Sequence, residues 1–218
     1  MDEYLSERQQ VDWLRQVIKE NAPWAVASVV LTAAGFFGYF QFQGWRDREA
    51  AAASQKYETT LDLLAKGDAD GALKLTKELR ASYGRTPYSD LAALAVARFD
   101  VEAGKLGDAA GMLEDVVKNT RDEDLAMVAR LRLARVQRAD GKPDAALATL
   151  AAAPAAATSP AFADVRGDVL LDKGDKAGAV AAWREALAAK SAGINRDLVE
   201  LKVASVESAA PPASAPKP

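Results

Sequence analysis

Arg98 and Arg135 stand 37 residues apart, and Arg138 follows one helical turn later, a spacing that would set three guanidiniums along one face of a repeating structure. Guanidiniums in such a row hold carboxylates through charge-assisted, often bidentate hydrogen bonds, so the chemistry on offer is recognition of an acidic partner. The competing reading is structural: the same arginines, with Asp168 at the corresponding place further on, would form a solvated face or bridge neighbouring repeats. Glu114/Asp115 and Asp122/Glu123/Asp124 are the dense acid clusters. EF-hand spacing is missing from both, and the second falls where a helix is expected to begin, where acids complement the helix dipole.

The 218 residues contain neither histidine nor cysteine. That removes Ser-His-Asp and Cys-His catalysis, disulfides, thiolate metal sites and the commonest zinc ligand. No catalytic, cofactor or metal site is expected, and the chain reads as a binding protein, not an enzyme. Cysteine usage leaves the compartment open, since its absence suits oxidising and reducing surroundings alike. The formal charge is −3, and the residues before Asn21 carry five acids and three bases, which leaves −1 for the rest. Nothing in that balance recruits nucleic acid.

The elements that position these residues begin with an uncharged run from Asn21 to Trp45. Ala22–Phe40, at ~1.5 Å rise per residue, gives a helix of about 29 Å against a hydrocarbon core of ~30 Å. Pro23 falls in the first turn, where its missing N–H costs nothing, and Trp24, Tyr39 and Trp45 sit where interfacial aromatic belts belong. A cleaved secretory signal would want a short basic n-region and a shorter apolar core, and this chain opens on an acidic segment. Residues 21–45 are therefore expected to form one membrane span. Within it Ser28, Thr32 and Gly35 share a face, with Gly38 at its edge and Ala34/Gly38 as a further small pair; small and hydroxylated residues so placed permit close docking of a second membrane helix.

Residues 1–20 are expected to form an amphipathic helix with Leu5, Val11, Trp13, Leu14, Val17 and Ile18 as its apolar positions, either interfacial or a docking helix for a cytoplasmic partner. Arg8, Arg15 and Lys19 before the span are matched by Arg46, Arg48 and Lys56 after it, so charge asymmetry does not decide the topology.

After Tyr57 the sequence repeats. Gly67/Ala72, Gly104/Ala109, Gly141/Ala146 and Gly174/Ala179 recur at intervals of 37, 37 and 33 residues, close to the roughly 34 of a tetratricopeptide unit. The Gly supplies a left-handed residue that ends helix A, and the Ala five residues on lets helix B approach helix A. Seven residues before each Gly stand Thr60, Ala97, Ala134 and Gly167; four after each Ala, where a large side chain would plug the pair, stand Thr76, Leu113, Leu150 and Trp183. No GxxxxGK[ST] occurs, so these glycines do not cradle phosphate. The expected fold is all-α: helix pairs over 46–65 and 69–82, 88–103 and 107–119, 124–139 and 143–152, and 160–173 and 176–189, an α-solenoid of about four units. Asn195 caps a last helix, with Ile194 and Val199 as its staple and Leu198, Leu201, Val203 and Val206 as the apolar positions that close the stack. Residues 46–207 make up this repeat domain, and 208–218 are expected to be a disordered Ala/Pro tail.

The strings LRLARVQ (131–137) and ADVRGDVLLDKGDKAGAVAAWREAL (163–187), with QVDWLRQVIKENA in the acidic N-terminal segment, resemble the ancillary SecYEG translocon subunit family, the YfgM-like proteins with a tetratricopeptide-like domain. The layout of acidic segment, span and repeats is similar too; the Ala/Pro tail departs from it. The resemblance implies a bacterial inner-membrane protein with a cytoplasmic N-terminus and periplasmic repeats. It also implies two partners, the SecYEG translocon and a membrane-anchored periplasmic chaperone related to peptidyl-prolyl isomerases. The function expected is an adaptor that binds this chaperone, and emerging secretory proteins, through its repeats. The alternative is an assembly protein that self-associates and uses the anchor only for localisation.

Overall fold

A computed structural model describes residues 7–154, 159–189 and 193–208, and its described residues form nine α-helices and no strand. The chain divides between Ala51 and Ala52 into two units. Leu5 and the tail residues 209–218 lie outside the described residues, whereas Ser208 closes the last helix.

The first unit belongs to α1 (Glu7–Ala65). It is the one helix among the described residues long and apolar enough to cross a membrane. No described side chain between Ala22 and Phe42 is buried, and Trp24 is 78% exposed, so this surface has no protein core to serve. The N-terminal helix leads straight into the span, as expected, and the helix expected to resume after the span is continuous with it. Pro23 is accommodated inside α1, and after Gly44 come alanine and charged residues of good helix propensity, with Arg48 Nε donating to the Gly44 carbonyl at 2.9 Å.

The second unit comprises the end of α1 with α2 (Ala69–Tyr83), α3 (Pro87–Glu102), α4 (Leu106–Asn119), α5 (Glu123–Ala139), α6 (Pro143–Ala151), α7 (Pro160–Asp172), α8 (Lys176–Ala188) and α9 (Arg196–Ser208). The turns between paired helices follow one recipe. Gly67, Gly104, Gly141 and Gly174 have φ of 78°, 75°, 70° and 82°. Each ends its helix in a Schellman pattern: at Gly67, for example, its own N–H donates to the Leu64 carbonyl at 3.0 Å and that of Asp68 to the Leu63 carbonyl at 2.9 Å. Three residues later the next helix is under way, with Asp68 and Asp175 accepting from the amides of Gly71 and Gly178. Proline at the first helical position starts α6 after its glycine turn, and also α3 and α7.

The packing follows from the same register. Ala72, Ala109, Ala146 and Ala179 are each 0% exposed. Opposite them Thr60, Ala97, Ala134 and Gly167 are buried, and Thr76, Leu113, Leu150 and Trp183 fill the space between. The fourth unit shows why the sizes within a pair must complement each other. A Cβ on Gly167 would lie 2.5 Å from Cδ1 and Nε1 of Trp183, so the larger plug requires the smaller partner.

The last helix differs from expectation in its orientation. Asn195 Oδ1 accepts from the Leu198 amide at 3.2 Å, and Val199 is 1% exposed against Ala179 and Trp183. Val203 and Val206 join that cluster, but Leu198 and Leu201 are 50% and 65% exposed. Val199, Val203 and Val206 form an i, i+4, i+7 stripe; Leu198 and Leu201 fall outside it and face solvent.

Candidate partner groove

The left-handed turns bring α3 and α5, the first helices of successive pairs, side by side with α4 behind them. Between them lies a groove of about 320 Å³ lined by Leu94, Ala97, Arg98, Val101, Leu113, Arg132, Arg135 and Val136. Its floor consists of side chains already fixed by the core: Leu94, Ala97, Leu113 and Val136 are 6% exposed or less. Val101 remains 38% exposed at the mouth. Arg98 and Arg135, which the sequence places at equivalent positions, line this groove together. Arg98 Nε donates to Glu102 Oε1 at 2.8 Å, an exposed pair one turn apart.

Arg132 completes the rim. Sequence reasoning passed over it, although it lies three residues before Arg135 and therefore one turn away on the same side of the helix. Both Arg132 and Arg135 are exposed, and neither is hydrogen-bonded or ion-paired among the described residues.

Arg138 has another fate. Its Nε and Nη2 donate to the two oxygens of Asp172 at 2.6 and 3.2 Å, and its Nη1 to Asp168 Oδ2 at 3.1 Å, so it ties α5 to α7. The hydrogen bonds that Arg138 donates to Asp172 raise the Arg138 pKa, and those same bonds hold the Asp172 carboxyl below the usual carboxylate range. Asp168 also receives Lys202 Nζ at 2.7 Å and Trp183 Nε1 at 3.1 Å, and Lys202 bonds Asp164 at 2.7 Å. One acidic edge of α7 thus joins α5, α8 and α9. Burial is the largest influence on Lys202 and pulls its pKa down, but the two carboxylates together leave it raised. Lys202 was missed in the sequence; the signal was Asp164 and Asp168, two acids one turn apart on a buried helix that need a cation.

The acid clusters have structural partners. Asp122 caps α5, accepting from the Leu125 amide at 3.0 Å, with Glu123 and Asp124 in the first turn. Asp115 pairs with Arg80, which also reaches Asp90 at 3.1 Å. Glu114 is exposed beside it.

On α1, Thr32 Oγ1 donates to the Ser28 carbonyl at 2.8 Å, within the helix. Around Gly35 and Gly38 nothing lies within 4 Å of where a Cβ would be, so this edge of the helix is bare backbone.

Antiparallel helix pairs, each closed by a left-handed glycine and an alanine contact, and stacked so that first helices adjoin, define a repeat protein of the tetratricopeptide type. The chain belongs to the tetratricopeptide repeat-like domain family, whose model matches residues 15–208. Among curated proteins it is similar to the ancillary SecYEG translocon subunit of Escherichia coli (strain K12), 30% identical over 203 residues, 93% of this chain and 98% of the relative. The ancillary SecYEG translocon subunits of Haemophilus influenzae and Neisseria gonorrhoeae are each 26% identical, over 84% and 95% of this chain and 89% and 100% of theirs. The resemblance carried by residues 131–137 and 163–187 is thereby borne out. Among solved structures, a thermophilic TPR protein of Thermus thermophilus is 18% identical with a TM-score of 0.33, over 71% of this chain and 98% of that one.

Proposed function

We propose that this protein is a membrane-anchored adaptor of the SecYEG translocon. Residues 1–20 would lie in the cytoplasm, 21–45 would cross the bacterial inner membrane once, and the repeats of 46–207 would stand in the periplasm. There they would bind a membrane-anchored peptidyl-prolyl isomerase-like chaperone and segments of emerging secretory proteins. The observation that carries this reading is the extent of the similarity: it runs through 98% of a relative named for the translocon and so takes in the apolar helix as well as the repeats. The groove rimmed by Arg98, Arg132 and Arg135 is the partner surface in this account. Arg138 supports it from behind by holding α7 to α5. The face of α1 that carries Ser28, Thr32, Gly35 and Gly38 is the proposed contact with a translocon or chaperone helix.

Protease added to spheroplasts tests the arrangement. It should digest the chain beyond Trp45 and spare an epitope placed at the N-terminus. The reverse pattern would place the repeats in the cytoplasm and remove the periplasmic partners.

A second reading, self-association, draws on Leu198 and Leu201, which α9 leaves exposed at the end of the repeats. Light scattering of the full chain in mild detergent separates the two. A concentration-independent protomer supports the adaptor, and a growing mass supports assembly.

A further inference from the structure

We infer that the docking face of α1 runs on past the bilayer through Val11, Leu14 and Ile18. It takes a membrane helix of a different chain whose own apolar stripe also continues outside the lipid, flanked by an acid that meets Arg15. This rests on the adaptor reading, in which α1 contacts a partner helix, and adds to it the chemistry of that helix.

α1 is unbroken from Glu7 through the span. A helix lying in the membrane interface would have to turn through nearly a right angle before Asn21, so the residues ahead of the span stand out from the membrane along the helix axis instead. At ~1.5 Å per residue from Ala22, Ile18 lies about 6 Å outside the hydrocarbon core, Leu14 about 12 Å and Val11 about 16 Å. The headgroup layer on each side is only ~5–8 Å deep, so lipid covers Ile18 at most. All three side chains are more than half exposed, an aliphatic stripe that reaches into water.

This stripe is in phase with the small-residue face. Val11, Leu14 and Ile18 follow intervals of three and four residues, and the same alternation carried forward reaches Ser28, Thr32 and Gly35. Composition changes along the seam as each medium requires. In water, helices associate through large apolar side chains; in lipid, where those gain nothing, they associate through small and hydroxylated ones. Past the span the alternation meets Arg46 and Glu49, and the seam ends there. A helix docked on Thr32 and Gly35 therefore lies against Leu14 as well.

The flank selects the partner. Arg15 stands beside Leu14, at the place that faces the neighbouring chain's flank in a paired helix. Among the described residues it has neither an ion pair nor a hydrogen bond, and Glu20, the acid nearest the span, accepts from Gln16 Nε2 at 3.0 Å. A second copy alongside in register would bring Gln10 to Arg15, not an acid. A different helix with glutamate or aspartate there adds a charge-assisted contact.

The test co-reconstitutes the full-length protein with a synthetic membrane-spanning helix in vesicles of neutral lipid. Within the bilayer the probe carries glycine and alanine at its contact positions; for two heptads beyond it the same register carries leucine, with one glutamate on the flank. One control replaces the outer leucines by serine, and another replaces the glutamate by lysine. Gln16→Cys, on the side of α1 away from the seam, gives the chain a single thiol for an acceptor dye, and energy transfer from a donor-labelled probe reads binding. The leucine probe should bind saturably, and the serine control about tenfold more weakly or worse, the loss expected when apolar contacts are removed. The lysine control should bind about two- to fivefold more weakly, and Arg15→Glu should reverse that preference. Leu14→Ser/Ile18→Ser should bring the leucine probe down to the level of the serine control. Both positions lie outside the repeat unit, so the repeats of this variant should unfold at the wild-type temperature. Should the variant fail to insert, the two control probes on the otherwise unaltered chain still decide. Equal binding of the leucine and serine probes, or no binding at all, would overturn the inference, as would stronger transfer between two labelled copies of the chain than to the probe. Recovery of SecYEG with the same protein separates the two levels. Translocon recovered without probe binding removes the extended seam and leaves the adaptor. Probe bound without translocon supports the seam and removes the adaptor.

Discussion

Gly167→Ala should destabilise the protein, and the same change in a Trp183→Leu background should stabilise it. Gly167 lies inside α7, where its backbone is helical and alanine would ordinarily gain about 1 kcal/mol in helix propensity. The added methyl would stand 2.5 Å from Cδ1 and Nε1 of Trp183 and 2.9 Å from Cε2, roughly 1 Å inside ordinary carbon contact. The ring cannot swing away, because Trp183 is 1% exposed and its Nε1 is bonded to the Asp164 carbonyl at 3.2 Å and to Asp168 at 3.1 Å. Overpacking of this kind costs ~1–3 kcal/mol, and a rigid, pinned ring puts it in the upper part of that range. The net loss is then about 1–2 kcal/mol. Trp183→Leu alone loses stability by opening a cavity. Adding Gly167→Ala to it recreates the Ala/Leu pairs found at 97/113 and 134/150, so the propensity gain of about 1 kcal/mol should appear unopposed. Denaturant unfolding of the full chain in detergent, followed by circular dichroism across the four members of the cycle, measures the coupling, expected at about 2–3 kcal/mol. Additive effects would refute the steric reasoning, as would a loss from Gly167→Ala in both backgrounds.

Ala146→Leu, at a position with 0% exposure between helices A and B, should cost ~1–3 kcal/mol, while Ala152→Leu, exposed beyond the end of α6, should cost far less; equal thermal midpoints would break the helix pairing. The Asp172 pKa is lowered in the folded state, so its link to Arg138 stabilises above the unfolded carboxylate pKa and is lost as pH falls through the folded one; Asp172→Asn should flatten the acid limb of the stability curve below about pH 4. Lys202 is raised, so its contribution is complete below the unfolded lysine pKa and fades as pH climbs through the folded value; Lys202→Met should cost on the order of 1–3 kcal/mol at pH 7 and remove the loss seen above about pH 10.4, read as hydrogen exchange in α9. A photo-crosslinker at Thr32 should capture a membrane partner more efficiently than one at Val30, and equal yields would reduce α1 to a plain anchor.

The repeat register was legible because each of its markers answers a local demand. A left-handed backbone at Gly67 or Gly104 excludes most side chains, and helix contact at Ala109 or Ala146 excludes large ones; both leave a trace in a single residue. Side-chain fate across helices was less legible. Arg135 and Arg138 lie one turn apart on α5, and only the positions of Asp168 and Asp172 on α7 commit the second and leave the first. Likewise the buried face of α9 was open to misreading, since leucines at 198 and 201 look as apolar as valines at 199, 203 and 206; contact with Trp183 chooses between the stripes. The continuity of α1 beyond the span had no positive mark, because an absent helix break is harder to see than a glycine.

The account turns on attachment to the translocon through a single anchored chain. The most direct measurement is in-cell crosslinking of the full-length protein at native abundance, followed by purification in mild detergent and quantification of SecY, SecE and SecG against an unrelated single-span control. The account predicts all three subunits at a fixed ratio to the bait, with the ratio maintained as bait abundance is varied. Recovery no higher than the control would contradict it.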